Sequence, residues 1–206
     1  MAANGTGWGG VFSAYPIRKL GKECILPGIS LIISILAYYF GSVNDPIMLM
    51  AKIADIIISG FPSIIGFVLT GYALIIGFSS TELIGRMACI KVTKNHSYFE
   101  VVSAIFAIVL GIVVTTYILA CIVTFVIDLN IVSSCGEKCV TFFNTICLFA
   151  FLFVFYYSIF SLLDIIVNVF NIGEFANAVA QTNHSEPEVR QDRLLTKILR
   201  YIFGWS

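Results

Sequence analysis

A row of polar side chains inside the last long apolar segment is the first place where this sequence could do chemistry. The row recurs at spacings of three and four residues, typical of one helix face, and consists of Ser158, Ser161, Asp164, Asn168 and Asn171. An ionisable group within a membrane-spanning helix is costly and usually faces a cavity or a partner. Asp164 is therefore the leading candidate for a functional residue. The alternative is that Asp164 reaches headgroup level at the inner end of a long helix and is fully hydrated.

A second candidate for chemistry is a pair of cysteines in a predicted outer loop. Cys135 and Cys139 flank the tripeptide Gly-Glu-Lys. An oxidising compartment would favour a disulfide that closes this turn, and the spacing suits a loop better than a continuous helix. Two free thiols are an equal alternative. The other cysteines, Cys24, Cys89, Cys121 and Cys147, are interpreted as packing residues.

Residue sets typical of catalysis or metal binding are not found in the sequence. The chain contains no HExxH or GxSxG motif and no cluster of His or Asp in its apolar segments. His96 and His184 lack partner ligands at zinc spacing. The Gly-rich segment GTGWGG lacks the Gly-Lys-Ser/Thr ending of a phosphate-binding loop and is interpreted as part of an irregular N-terminal arm. We therefore expect no enzymatic activity, no cofactor and no direct binding to nucleic acid.

The second long apolar segment carries a stripe of small residues, which we call the small-residue stripe. Its members alternate at spacings of three and four: Ser63, Gly66, Thr70, Ala73, Gly77 and Ser80. Small residues let membrane helices approach closely, and a heptad period favours a left-handed crossing near +20°. Two interpretations stay open. The stripe packs this helix within one bundle, or it forms a subunit interface in an oligomer.

The end of the chain predicts a basic amphipathic helix. Ser185 and Glu188 match a capping box, and apolar residues follow at helical spacing. A second face gathers basic residues, with one more just before them: Arg190, Arg193, Lys197 and Arg200. Such a face favours binding to anionic membrane lipids or to a cytoplasmic partner. The alternative is a helix that packs on its own bundle.

The elements that position these residues are four long apolar segments. Of the 206 residues, 59% are hydrophobic and 12% are charged, against about a quarter charged in soluble domains. The segments cover about 24–40, 56–78, 101–127 and 140–170. Runs of this length predict spanning helices. We thus predict an all-α membrane protein with a four-transmembrane-helix bundle at 24–170, an N-terminal arm at 1–23, and a linker with the amphipathic helix at 171–206. The segment from Pro46 to Ser59 is either an interfacial helix or the tilted start of the second span.

Orientation follows from the placement of lysine and arginine. Three basic residues precede the first span, three lie between the second and third spans, and four lie in the tail, leaving only Lys52 and Lys138 for the other two connections. Basic residues are retained on the cytoplasmic side of a membrane. Both termini and the connection between the second and third spans are therefore predicted to be cytoplasmic.

The chain resembles the small four-helix membrane subunits of bacterial anti-phage systems, and in particular the KwaA-like membrane subunits of the Kiwa system. The resemblance rests on the run FPSIIGFVLTGYALIIGFSSTELI, on the four-span length and on the small outer loops. It implies a homo-oligomer, in these subunits a tetramer, that works with a cytoplasmic DNA-binding partner of the KwaB type. It implies a role in sensing events at the envelope and in recruiting or restraining that partner.

Three functions compete on these observations. A sensor and docking subunit of a defence complex agrees with the basic tail and with the lack of catalytic motifs. A small ion channel or membrane-disrupting effector would place Asp164 and the asparagines on a polar axis. A transporter would need mid-membrane ligands and usually an inverted repeat, and neither is visible in the sequence.

Overall fold

The protein is helical wherever its structure is described. The computed structural model describes residues 8–15, 23–41, 45–78, 81–91, 96–129 and 137–182. Within these ranges there is no strand, and a single antiparallel bridge joins Lys91 to Ser97. The prediction of an all-α chain is confirmed. The helices are α1 (Trp8–Ala14), α2 (Ile25–Phe40), α3 (Pro46–Phe78), α4 (Thr81–Cys89), α5 (Tyr98–Asp128) and α6 (Glu137–Thr182).

Three of these helices are long and apolar enough to cross a membrane. The candidate spans are Pro46–Gly77 in α3, Tyr98–Asp128 in α5 and Val140–Asn177 in α6. Large side chains such as Phe40 and Phe67 are exposed along the helices. An apolar surface of this kind is a liability in water but matches lipid tails. These features are those of an α-helical multi-pass membrane protein.

Helix α2 is the shortest of the four apolar helices. It has 16 residues and a length of about 24 Å, compared with a hydrocarbon core of roughly 30 Å. The first of the four predicted spans is therefore shorter than the hydrocarbon core, and α2 is not among the three helices that are long enough to cross it untilted.

Helix α3 begins earlier than the apolar run alone indicates. Asp45 caps its start, since its Oδ1 accepts the backbone N–H groups of Ile47 (2.9 Å) and Met48 (3.3 Å). Pro46 occupies the first turn, where its missing N–H has no helical partner to lose. The helix continues through Pro62 to Phe78 without interruption. Of the two alternatives for this segment, the structure therefore has the single continuous helix.

Two other elements are longer or more regular than predicted. Helix α6 continues to Thr182, through most of the segment 171–184 whose polar composition predicted a linker. It continues because Phe175 and Val179 are buried on one side of the added turns. The arm that was predicted to be irregular contains helix α1, in which the rings of Trp8 and Phe12 lie 6.0 Å apart at helical spacing.

The contacts divide the chain into two compact units. Unit 1 contains the described residues of Met1–Tyr15, Gly71–Ala107 and Leu163–Ser206, and unit 2 those of Pro16–Thr70 and Ile108–Leu162.

Unit 2 is held together by contacts of α2 and α3 with α6. The hydroxyl groups of Ser34 and Tyr156 share a hydrogen bond of 2.7 Å, which satisfies two polar groups within an apolar bundle. The rings of Phe61 and Phe155 stack at a centroid distance of 6.3 Å. Burial of rings of this size contributes much of the packing area between helices.

Unit 1 is built around the start of α5. Tyr98 is almost fully buried, and its ring lies 5.4 Å from the ring of Phe175 on α6. Its backbone N–H donates to the carbonyl of Ile90, which follows α4 (2.9 Å). The start of α5 thus contacts both α6 and the end of α4.

Candidate functional site

A cavity in unit 1 brings several polar and aromatic side chains together. It has a volume of about 480 Å³ and lies between α1 and the first three turns of α5. We call it the α1–α5 cavity. Its volume falls in the roughly 300–1,000 Å³ range of small-molecule sites. Its polar lining residues are Tyr72, His96, Glu100 and Ser103, and apolar side chains supply most of the remainder.

The start of α5 fixes the carboxylate in this cavity. Ser97 and Glu100 form a reciprocal capping box: the Glu100 N–H donates to Ser97 Oγ (3.3 Å), and the Ser97 N–H donates to Glu100 Oε2 (3.0 Å). These two bonds satisfy backbone donors that the first turn of a helix leaves without partners. Glu100 therefore has a structural reason to hold one carboxylate oxygen against the helix end.

His96 links α1 to this capped helix end. Its Nε2 lies 3.1 Å from Ser13 Oγ on α1, and its Nδ1 lies 3.3 Å from Glu100 Oε2. The tautomer with a proton on Nδ1 fits both contacts, since the imidazole then donates to the carboxylate and accepts from the hydroxyl. The imidazole is nearly buried, whereas Glu100 is almost half exposed. These contacts connect α1 to the start of α5, although Ser13 and His96 are 83 residues apart in the sequence.

The order of atoms from Ser13 through His96 to Glu100 is also that of a Ser–His–acid triad. Two observations favour a structural role instead. Glu100 Oε2 is shared with the Ser97 N–H, so the helix start already explains its position. Ser13 is not among the described residues that line the cavity, whereas a nucleophile needs a substrate site beside it. We therefore interpret the three residues as a tie between α1 and α5.

Tyr72 on α3 forms the opposite wall of the cavity. Its hydroxyl donates to Ser103 Oγ (3.0 Å), and its ring lies 5.2 Å from that of Phe106. The bond satisfies a phenol that would be costly to bury alone, and it fixes the ring orientation. The aromatic face and the serine hydroxyl are thus held in place before any ligand arrives.

The tie between α1 and α5 gives a direct prediction. Ser13→Ala and His96→Ala should each weaken α1 docking by about 1 kcal/mol, the net value of one hydrogen bond, and so raise amide exchange in Trp8–Ala14 roughly fivefold. Hydrogen–deuterium exchange with mass spectrometry measures this. Ser34→Ala removes a hydroxyl of similar environment in unit 2 and should leave α1 exchange unchanged. Wild-type exchange in both test variants would contradict the tie.

The polar row on α6 lies on the buried side of that helix. Ser158, Ser161, Asn168 and Asn171 are buried, and Asp164 is half-buried. The two serines lie in unit 2 and the other three residues in unit 1. Each serine hydroxyl donates to a carbonyl one turn back, and Asn168 Nδ2 donates to the Asp164 carbonyl (2.6 Å). These bonds give the two serine hydroxyls and the Asn168 amide partners on their own helix, and the functional role of Asp164 stays a prediction.

The small-residue stripe on α3 is exposed in the part of the chain that the structure describes. Its five members within the described residues are exposed: Ser63, Gly66, Thr70, Ala73 and Gly77. Ser80 lies outside the described residues. A methyl group added at Gly66 or Gly77 would meet no atom within 4 Å. Within one chain, then, this surface of α3 has no close helix neighbour among the described residues.

Two further sets of predicted site residues lie outside the described part of the chain. These are Cys135 with the side chain of Cys139, and the basic residues Arg190, Arg193, Lys197 and Arg200. The disulfide and the docking face therefore stay predictions. Cys24 and Cys89 are exposed, so packing within the chain does not explain them, while Cys121 and Cys147 are half-buried.

Sequence patterns missed the α1–α5 cavity because its parts come from separated segments. His96 was considered only as a zinc ligand, yet its partner Ser13 is 83 residues away. One local signal was present: Ser97 and Glu100 have the S-x-x-E spacing of a capping box. Comparison with protein families, curated proteins and solved structures finds no match to this chain.

Proposed function

We propose that this chain is an oligomeric inner-membrane sensor and docking subunit of an anti-phage defence complex. In this proposal four helices cross the membrane, both termini are cytoplasmic, and the tail recruits or regulates a cytoplasmic DNA-binding protein. The resemblance to KwaA-like subunits, carried by the run from Phe61 to Ile84, is the reason for choosing defence among the possible contexts.

The observation that supports the proposed oligomer is the exposure of the small-residue stripe on α3. Gly66, Ala73 and Gly77 offer the close backbone approach on which membrane helices rely, because lipid gives no hydrophobic drive between helices. Contacts within the described part of the chain leave this stripe open. A second copy that presents the same stripe would fill it with a heptad-spaced, left-handed crossing.

A four-span arrangement requires α2 to cross with only 16 residues. Local thinning of the bilayer or polar flanking residues that reach the interface makes such a short span possible at a modest cost. The hydrogen bond and ring contact that α2 makes with α6, Ser34 to Tyr156 and Tyr38 to Phe149, support its position beside a spanning helix.

Reporter fusions test the proposed topology. Fusions after Val43 and Gly136 should read periplasmic, and fusions after Lys94 and Ser206 should read cytoplasmic, because the basic residues concentrate beside the latter two. Paired alkaline phosphatase and fluorescent protein fusions give opposite signals at each site and control for expression. A cytoplasmic signal at Gly136 would overturn the four-span arrangement.

The defence role is tested in cells that carry this gene with its neighbour. Phage plating efficiency should drop by orders of magnitude when both are present and recover when either is deleted. The neighbour-encoded cytoplasmic protein should co-purify with the membrane chain. Undiminished plating on every phage of a broad panel would contradict the defence role, while leaving the oligomer and the topology to their own tests.

An ion channel is the second candidate, because α6 buries a row of serines and asparagines. A channel needs polar groups that face a continuous water path. The serine hydroxyls here donate to their own helix backbone, which favours packing over conduction. Ion flux into liposomes that contain the purified chain decides between the two. Flux that Asn168→Leu abolishes would favour the channel.

A further inference from the structure

The α1–α5 cavity has an acidic group in its lining. Glu100 is the one residue with a permanent charge among the described residues that line it, and none of these is a lysine or arginine. Its Oε2 accepts the Ser97 N–H and faces His96. Its Oε1 makes no hydrogen bond or ion pair with any residue that the structure describes. Among the described residues, Oε1 is therefore the carboxylate oxygen of Glu100 that remains available to a ligand.

The remaining walls are apolar and aromatic. The rings of Tyr72 and Phe99 border the cavity, together with the small or branched side chains of Val11, Ala104 and Ala107. Aromatic faces attract cations through their quadrupole, most of all where water is displaced. A carboxylate next to aromatic faces and aliphatic walls matches a ligand that has a positive head and an apolar body.

The geometry points to the α1–α5 cavity as a binding site for an amphiphilic organic cation, an ammonium group attached to an alkyl chain. The ammonium group pairs with Glu100 Oε1 and contacts the ring of Tyr72. The alkyl part packs against Val11, Ala104 and Ala107. Both a free alkylamine and a lipid with an ammonium headgroup share this chemistry. The inference depends only on the cavity and holds whatever role the whole chain has in the cell.

Other ligand classes fit less well. An anion would meet the Glu100 carboxylate without any lysine or arginine in the described lining. A metal ion needs several ligands, and the described residues contain no group of three or more His, Cys, Asp or Glu that could hold one. A neutral alkane would displace water from around the carboxylate and offer no group to replace it, which is unfavourable.

The binding experiment uses the full-length chain purified in a neutral maltoside detergent. The probes are decyltrimethylammonium, decyl sulfate and decyl glucoside, which share one chain length and carry a cationic, an anionic and a neutral head group. Isothermal titration gives the affinity of each. We expect saturable binding of the cation, at least tenfold tighter than that of either of the others, because one lost charge pair in a partly buried site is worth about a factor of ten or more.

Glu100→Gln is the decisive variant. Glutamine can replace glutamate in a capping box, so α5 keeps its start while the charge is removed. Glu174→Gln makes the same change at an exposed residue of α6 and serves as the matched control. Glu100→Gln should weaken decyltrimethylammonium binding about tenfold without changing decyl glucoside binding, and Glu174→Gln should change neither. Ala107→Leu, which fills the cavity, should weaken binding of all three probes.

Nanodiscs of defined lipid composition distinguish the two sources of the cation, a lipid headgroup and a free amphiphile. A Glu100-dependent change in thermal stability between phosphatidylcholine and phosphatidylglycerol discs would identify a lipid headgroup. Binding of decyltrimethylammonium with no such lipid dependence would identify a free amphiphile. Equal affinity for the three decyl probes, or equal cation binding by Glu100→Gln and Glu174→Gln, would overturn the site.

Discussion

Gly66→Leu and Gly77→Leu should each lower the protein mass of the purified chain, if it forms the oligomer that we propose. Both glycines are exposed on α3, and an added Cβ at either has no non-local neighbour within 4 Å among the residues that the structure describes. The described part of the chain thus leaves room at both positions, and we expect a leucine there to act mainly where a second copy approaches. Overpacking of a close contact costs about 1–3 kcal/mol, which weakens association roughly 5- to 150-fold at each interface.

Gly71→Leu is the matched control for this prediction. Gly71 lies on the same helix but about 140° around it from Gly66, and an added Cβ there also meets no atom within 4 Å. Light scattering after size-exclusion chromatography, corrected for detergent, gives the protein mass of each variant. Wild-type mass for the Gly66 and Gly77 variants would show that the small-residue stripe is incidental. A loss of mass with Gly71→Leu alone would move the interface to another face of α3.

The helices themselves were largely predictable, because the membrane imposes a strong pattern on a sequence. Long uncharged runs have no other way to satisfy their backbone groups in lipid, so they predict helices. The ends of the helices were less predictable. Helix α3 starts at Pro46 because Asp45 caps it, and α6 runs to Thr182 because Phe175 and Val179 find buried positions. A capping residue and two isolated apolar residues do not lengthen the continuous apolar run by which a spanning helix is recognised in a sequence.

The candidate site was the least predictable feature. The polar row on α6 was visible from its spacing alone, and its burial agrees with that pattern for Ser158, Ser161, Asn168 and Asn171. The α1–α5 cavity depends instead on the docking of a short Gly-rich helix onto His96, a contact over 83 residues. No local propensity encodes such a contact. Only the capping box of Ser97 and Glu100, which fixes the carboxylate, was visible within four residues of sequence.

The exposed stripe and the predicted tail divide the proposed function between two surfaces. In the proposal, the stripe on α3 serves contacts between copies of the chain. The tail, outside the described residues, is proposed to serve contacts with lipid or a soluble partner. If this division is correct, variants of one surface leave the other intact: oligomer mass is insensitive to the tail, and partner binding by each subunit is insensitive to the stripe.

Arg193→Glu combined with Lys197→Glu should abolish the function of the complex while leaving membrane insertion intact. The two residues are four positions apart, so a helix presents them on one face, together with Arg200. Each basic side chain near an anionic leaflet is worth about 1 kcal/mol, and a partner with an acidic surface would use the same charges. The double reversal turns this attraction into repulsion. The spanning helices already anchor the chain, so lost function would point to docking or tail positioning.

The matched control for the tail is the reversal of the only two basic residues assigned to the outer connections, Lys52→Glu with Lys138→Glu. It changes the net charge of the chain by the same amount, and Lys52 is exposed on α3. Membrane yield, co-purification of the neighbour-encoded protein and phage plating are measured for both variants. We expect normal yield for both, with loss of co-purification and protection only in the tail variant.

Full protection and full co-purification by the tail variant would show that the tail only rests on lipid or in solvent. Docking would then shift to the predicted cytoplasmic loop that contains Arg86, Lys91 and Lys94, because it carries the next concentration of basic side chains on the same side of the membrane.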